Sequence, residues 1–388
     1  MELKMKDKKF TKWVAVWGSA TSISDREIST YAKDLTLRYP VQIFFFFIKL
    51  RFHFSNLTGT ENVKLANVFV AKKTDDEKYD GVPVLFCNSE SAVIPPGKEI
   101  LSDDVEMLID AGDVIEVSMY FADYTQMNAG TLVTGPLSKG KFAYGNYSAQ
   151  KELPAEKSRN TSWFYFLNTI DIFTEEKNHA LICFGDSITA QSWPDYLAMR
   201  AYKNASCNVS VIRRAVCGTR ILRQYDCITY AAYGLKGETR FPLETQVAGA
   251  DKVIVQHGIN DIIHPVGKDI NQFRPWSDMP SSDDLIEGFK KFYIEHARKR
   301  GLKIYGGTLL PIYGWRTYED FREKIRCELN DWIRTTDLLD GFIDFDRALR
   351  DSKFKERFSE GFDSGDHLHP SEAAYKAMAD CVDESFLI

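Results

Sequence analysis

The run Ala180-Leu-Ile-Cys-Phe-Gly-Asp-Ser-Ile-Thr189 constrains the fold more than any other stretch of the chain. Ala180 to Phe184 is continuously apolar and predicts a short buried strand. Gly185-Asp186-Ser187 predicts a tight turn, and a helical pattern follows from about Trp193 to Tyr202. In an open α/β sheet the residue just past the carboxyl end of such a strand faces the ligand crevice. Ser187 stands there. Two roles are open to it on this stretch alone: a nucleophile, or simply the N-cap of the helix that follows, a position Ser favours.

The rest of the C-terminal half carries the same pattern. Further strands are predicted at Val209 to Arg213, Val253 to Gln256, Lys303 to Thr308 and Phe342 to Phe345. Helices are predicted at Asp284 to Arg300, Tyr318 to Thr335 and Ser371 to Asp380, the first after the capping cluster Pro280-Ser-Ser-Asp283. Strands alternating with helices predict right-handed βαβ units and a parallel sheet covered on both faces. Residues from Trp13 to Phe173 read differently. Leu50 to Ser55, Val63 to Ala71 and Val114 to Tyr120 alternate with period two between turn signals, which predicts a β-sandwich of jelly-roll type. Val41 to Leu50 reads as one core strand, and the polar, glycine-bearing Thr125 to Asn160 as a long loop or lid. The charged stretch Thr174 to His179 separates an N-terminal accessory domain (1–175) from an α/β domain (176–388).

Composition excludes several function classes. A net charge of −6 leaves no polybasic footprint, so neither nucleic acid nor an anionic membrane surface is expected as a partner. The Lys-rich start, Met1 to Phe10, is not followed by an apolar segment with a small-residue cleavage site. The longest apolar run is far short of the roughly 20 residues a membrane helix needs. Cysteines stand at 87, 183, 207, 217, 227, 327 and 381, with no CxxC spacing, which points to neither a zinc ribbon nor a redox pair. Free thiols and no secretory leader predict a reducing cytoplasm.

Three more stretches end on the edge of the sheet where Ser187 lies: Ala215-Val-Cys-Gly-Thr-Arg220, Gln256-His-Gly-Ile-Asn-Asp261 and Gly365-Asp-His-Leu-His-Pro370. Singly, each has an ordinary reading: Gly218 as a turn glycine, Asn260 as an Asx-turn residue, Asp366 and His369 as a solvated loop. Together, in this order, they resemble the SGNH or GDSL-type hydrolase superfamily. Its blocks stand here as Gly185-Asp-Ser187, Gly218, Gly258-Ile-Asn-Asp261 and Asp366-His-Leu-His369. The resemblance covers Ala180 to the C-terminus. Trp13-Val-Ala-Val-Trp-Gly18 and Arg51-Phe-His-Phe-Ser-Asn56 look like the accessory domain of some esterases of that superfamily.

The resemblance implies a flavodoxin-like three-layer α/β/α hydrolase domain. It also implies a serine esterase acting through an acyl-enzyme on a small-molecule or oligosaccharide ester, without metal or cofactor. Ser187 would attack, His369 would take its proton, and Asp366 would orient the imidazole. The oxyanion hole would use the Ser187 N–H, the Gly218 N–H and the Asn260 amide. His367 beside His369, and Asp363 beside Asp366, stay open as alternatives. Arg220, His264, Trp315 and Arg316 lie in loops on the same edge, as surface or packing residues or as candidate substrate contacts. A short-chain, acetyl-removing carbohydrate esterase is the leading expectation. A lysophospholipase- or thioesterase-like lipid esterase and a catalytically dead carbohydrate-binding protein are the alternatives, and the oligomeric state is open.

Overall fold

The computed structural model describes residues 9–23, 31–75, 80–204 and 206–388. The Lys-rich residues 1–8 lie outside the described residues. The chain divides into two compact units, residues 1–180 with 247–249, and residues 181–246 with 250–388.

The first unit is antiparallel. One sheet sets Leu167–Glu175 between Phe10–Gly18 and Phe47–Ser55, with Trp13 opposite Phe173 and Arg51 opposite Asp171. A six-stranded sheet centres on Leu35–Gln42 and Val114–Phe121. Period two is visible in the burial: Leu50, Phe52 and Phe54 are buried, while Lys49, Arg51 and His53 are half-buried.

Two expectations fail here. Val41 to Leu50 is not one strand. The chain leaves the six-stranded sheet at Gln42 and enters the other at Phe47, and Ile43, Phe45 and Phe46 cross between them, buried. The crossing is held by Ile43, whose N–H donates to Asp113 O at 2.8 Å and whose carbonyl accepts from Gly112 N at 2.8 Å. Thr125 to Asn160 is not a lid. It supplies the strands Ala129–Leu132 and Gly140–Tyr144, the latter paired with Leu35–Gln42. Two of its glycines, Gly130 and Gly140, make room for rings: a β-carbon on Gly140 would lie 2.9 Å from Tyr39 Cδ1.

The second unit holds a five-stranded sheet. Its strands are β1 (His179–Gly185), β2 (Val209–Ala215), β3 (Ala250–Gln256), β4 (Lys303–Gly307) and β5 (Gly341–Ile343). Their order is β2-β1-β3-β4-β5, and β4 runs parallel to both β3 and β5. That is the flavodoxin-like order. It reverses direction at β1, so the loops leaving β1 and β3 part there and open a crevice at the carboxyl edge.

The helices depart from expectation in three places. The predicted Asp284–Arg300 helix starts at Ser282 on a capping box, with Asp284 N donating to Ser281 Oγ at 3.1 Å and Ser281 N to Asp284 Oδ2 at 2.9 Å. It then widens into a π-helical stretch, Phe289–Ile294, that buries both Phe289 and Tyr293. The strand predicted to reach Phe345 stops at Ile343, because Asp344 caps a short helix, Phe345–Leu349, by accepting from Arg347 N at 3.2 Å. The helix Gly237–Glu244 was hidden by Pro242, which reads as a breaker.

A buried ion network ties the helix Asp320–Thr335 to the residues after β5. Asp346 accepts from Arg326 (2.9 Å), Arg334 (2.6 Å) and Arg350 (2.7 Å), and Arg326 and Asp346 are both buried. Breaking a buried pair from one side strands the other charge. Asp346→Ala is therefore expected to cost about 3–5 kcal/mol in urea unfolding. A cost below about 1 kcal/mol would mean that water reaches Arg326 and replaces the carboxylate.

Candidate active site

β1 delivers Ser187. Ala180 to Phe184 are fully buried, which pins the strand inside the sheet, between β2 and β3. The turn after it needs glycine, since a β-carbon on Gly185 would meet Thr189 Oγ1 at 2.5 Å. Asp186, not Ser187, is the N-cap: its Oδ1 accepts from Ile188 N at 3.0 Å. Ser187 opens the short helix Ser187–Ala190 with its hydroxyl directed elsewhere, 2.8 Å from His369 Nε2.

His369 is oriented by Asp366. Its Nδ1 is 2.6 Å from Asp366 Oδ2, while Asp366 Oδ1 accepts from His369 N (2.8 Å), Leu368 N (3.0 Å) and Ser364 Oγ (3.2 Å). Burial works to raise the Asp366 pKa, but the His369 ring and the two backbone N–H groups outweigh it and hold the carboxyl at about 2. An ionised Asp366 only accepts, so the imidazole proton sits on Nδ1 and the lone pair of Nε2 faces the serine hydroxyl. Asp363 serves the neighbouring histidine. It accepts from Gly365 N (2.8 Å) and His367 N (3.0 Å), and its Oδ2 is 2.5 Å from His367 Nδ1.

Gly218 and Asn260 come from the loops after β2 and β3. Gly218 has φ +77°, and a β-carbon there would fall into the Tyr233 ring, 2.7 Å from Cε1. Asn260 follows Gly258, at φ +125°, and is buried; its Nδ2 donates to Thr219 O at 3.0 Å, leaving its second amide hydrogen for another acceptor.

Arg220 and His264 are buried rather than open to the crevice. Arg220 reaches Asp278 at 3.2 Å and lies 4.3 Å above the Tyr225 ring; His264 Nδ1 is 3.1 Å from the Tyr225 hydroxyl. Burial, then the charges of Arg274, Arg220 and Arg316, hold His264 neutral, well below the usual histidine range. Trp315 is half-buried beneath the Arg316 guanidinium, 4.7 Å away.

Residues 183–377, half of the chain, match the sequence profile of the GDSL-like lipase/acylhydrolase family. The chain belongs to that family. No curated protein sequence matches it. Among solved structures it is similar to a GDSL-like lipase from Bacteroides thetaiotaomicron, at 15% identity over 53% of this chain and 87% of that one, with a TM-score of 0.38. It is also similar to an acetylxylan esterase from Geobacillus stearothermophilus, at 15% identity over 55% of this chain and 96% of that one, with a TM-score of 0.39.

Within this GDSL-like domain two positioning residues had no role in the sequence reading. His257 Nε2 lies 3.1 Å from Thr219 O and its Nδ1 2.7 Å from the Tyr293 hydroxyl. A carbonyl only accepts, so Nε2 carries the proton and Tyr293 donates to Nδ1. Asp261 accepts from Ile221 N (2.7 Å) and Leu222 N (3.0 Å). Both flank Gly258-Ile-Asn260, and that adjacency was the one signal available.

Burial, with Arg240 second, pushes His257 down to about 3, against about 6.5 for a free imidazole. The sign follows. Between those values the unfolded chain binds a proton that the folded chain refuses, so the contribution is complete above about pH 6.5 and is lost as pH falls. The buried carboxyls of Asp186 and Asp261, pushed up to about 7 and about 6, act in the opposite sense. Comparison with His257→Gln isolates the histidine. From pH 7 to pH 5 the stability of wild type should fall relative to the variant by about 2 kcal/mol in urea titrations. A constant difference would mean that the folded protein accommodates the imidazolium.

Proposed function

We propose that this chain is a serine esterase that removes short acyl groups, acetyl foremost, from a carbohydrate. The observation that carries the reading is the relay Ser187 Oγ, His369 Nε2, His369 Nδ1, Asp366 Oδ2, joined at 2.8 and 2.6 Å in a family of acylhydrolases.

As the Ser187 Oγ bonds to the ester carbonyl carbon, its proton passes to His369 Nε2. Asp366 stays ionised and stabilises the imidazolium. The Ser187 N–H, the Gly218 N–H and the second amide hydrogen of Asn260 receive the oxyanion. The carbon–alkoxy bond then breaks and His369 returns the proton to the leaving oxygen. Water repeats the sequence on the acyl-enzyme, releasing the acid and freeing Ser187.

The leaving alcohol must lie beside His369, which protonates it. The loop Tyr313-Gly314-Trp315 packs against His367, two residues before His369 in the chain. A β-carbon on Gly314 would lie 2.8 Å from the His367 ring, and Tyr313 is 40% exposed. An exposed tyrosine on a loop that packs against the segment carrying His369 supports a sugar as the alcohol.

An isolated serine hydroxyl is inert to a fluorophosphonate, so labelling reads the whole constellation. Intact-mass analysis should show one adduct, placed at Ser187 by peptide mapping and abolished by His369→Ala. Asp366→Asn should slow labelling without abolishing it, and His367→Ala should leave it unchanged. Folded protein that takes up no probe would refute the esterase reading.

Asn260→Ala should lower kcat by about two to three orders of magnitude, with thermal stability as the control for folding. Turnover within a few-fold of wild type would remove Asn260 from the hole. Because the nucleophile is a serine activated by histidine, dialysis against a chelator should leave the rate unchanged. A loss restored only by a divalent ion would sink the mechanism.

A further inference from the structure

Resting on the esterase reading, we propose that Tyr233 is the wall that sets the length of acyl group the site accepts. Its ring lies against Gly218, the residue whose N–H is assigned to the oxyanion; a β-carbon there would be 2.7 Å from Tyr233 Cε1. No side chain on residue 218 intervenes, so the ring itself forms the rim of the hole.

The ring is held by an aromatic stack. Tyr233 stacks on His264, with centroids 5.3 Å apart and planes 26° apart, and on Tyr230 at 5.5 Å and 30°. Tyr225 meets it edge-on at 5.7 Å. Two buried cations brace this stack: the Arg220 guanidinium lies 4.3 Å above Tyr225, and that of Arg274 lies 4.5 Å above Tyr230. Asn271 donates to the Tyr230 hydroxyl at 2.6 Å. This bracing matters because all six residues of the 3-10 turn Ile228–Tyr233 keep part of their surface exposed, Ile228 as much as 95%. A segment with so little apolar burial of its own has little else to fix it. The cation–π contact of Arg220 and the ring stacking of His264 give these two residues a role: they position the wall.

The direction of the acyl group follows from the tetrahedral carbon. Of its four substituents, Ser187 Oγ is one, the oxyanion occupies the hole, and the alcohol oxygen must face His369 Nε2 to receive its proton. The acyl substituent takes the remaining direction, against the rim of the hole. There it meets Tyr233. A methyl group fits against that face, and a longer chain collides with it.

The test is kcat/KM on p-nitrophenyl acetate, butyrate and octanoate, which share one leaving group. Wild type should prefer acetate. Tyr233→Ala should raise the octanoate-to-acetate ratio by about tenfold or more, since each methylene accommodated in a pocket is worth about that much. Tyr233→Phe, which keeps the ring, should retain the wild-type ratio. A second arm holds the acyl group as acetyl and compares p-nitrophenol with an acetylated methyl glycoside; that preference should not move in Tyr233→Ala. If thermal unfolding shows the Ala variant destabilised, Tyr233→Leu should shift the ratio in the same direction by a smaller factor. An active wild type whose acyl ratio is the same in every variant, or whose alcohol preference moves instead, overturns the assignment of Tyr233 alone. A wild type inert to every ester and unlabelled by fluorophosphonate overturns the esterase reading and the wall with it.

Discussion

The carbonyl oxygen of Thr219 accepts two hydrogen bonds, from His257 Nε2 at 3.1 Å and from Asn260 Nδ2 at 3.0 Å. Both of its lone pairs are used. The pair ties the loop after β2 to the loop after β3, and those strands flank β1. Asp261 adds two bonds in the same direction, taking the N–H groups of Ile221 and Leu222. Each such bond contributes about 1 kcal/mol net, whereas a buried donor left unpaired costs about 1–3 kcal/mol. The spacing between Gly218 and Asn260 is therefore set by a satisfied buried network, on either side of the strand that carries Ser187. Burial, and then the charge of Arg240, keep His257 neutral here, with Nε2 donating to the carbonyl and Nδ1 accepting from the tyrosine hydroxyl.

The C-terminal loop shows how a shift of one residue redirects an imidazole. Asp363 pairs with His367 across four positions, and Asp366 pairs with His369 across three. Each carboxylate also takes the backbone N–H of its own partner, so each pair is a closed local unit. His367 stands at φ +64°, a left-handed residue between the two units, and its ring faces Gly314. His369 faces Ser187. Two histidines with near-identical carboxylate partners thus differ in what their other nitrogen meets.

What was legible in the sequence is what is local. The buried run Ala180 to Phe184, the turn after it and the alternation of strands and helices are contiguous signals, and they led to the parallel sheet. The blocks of the candidate site were legible because each is a short run at the end of a strand or before the last helix. The misses are places where distant residues decide. Val41 to Leu50 passes from one sheet to the other while staying buried throughout, so its apolarity carries no mark of the break. Gly130 and Gly140 read as loop glycines, yet each gives room to a tyrosine far along the chain, Tyr165 and Tyr39. Arg220 read as a loop cation with either a surface or packing role or a substrate contact; its burial depends on Tyr225 and Asp278, and the latter is 58 residues away. His257 gave no signal beyond its place beside Gly258-Ile-Asn260, because its partners, Thr219 and Tyr293, are distant in the chain.

The carboxyl groups around Ser187 are sorted by environment, which decides where negative charge can sit. Asp366 accepts from an imidazole, two backbone N–H groups and a serine hydroxyl, and stays ionised. Asp186 adjoins Ser187 in the chain but is fully buried, and burial raises it to about 7 against the pull of the Ile188 N–H and Arg240. Near neutral pH it carries only part of a charge. Arg240 is largely occupied elsewhere, paired with Glu244 at 2.7 Å and donating to the carbonyls of Gly185 and Arg214. Environments that push two acids apart assign them different tasks. In the proposed mechanism, Asp366 is then an anion where a positive imidazolium would form. Asp186 is kept close to neutral where a full anion would repel the proposed oxyanion, and in that state it caps the helix that begins at Ser187.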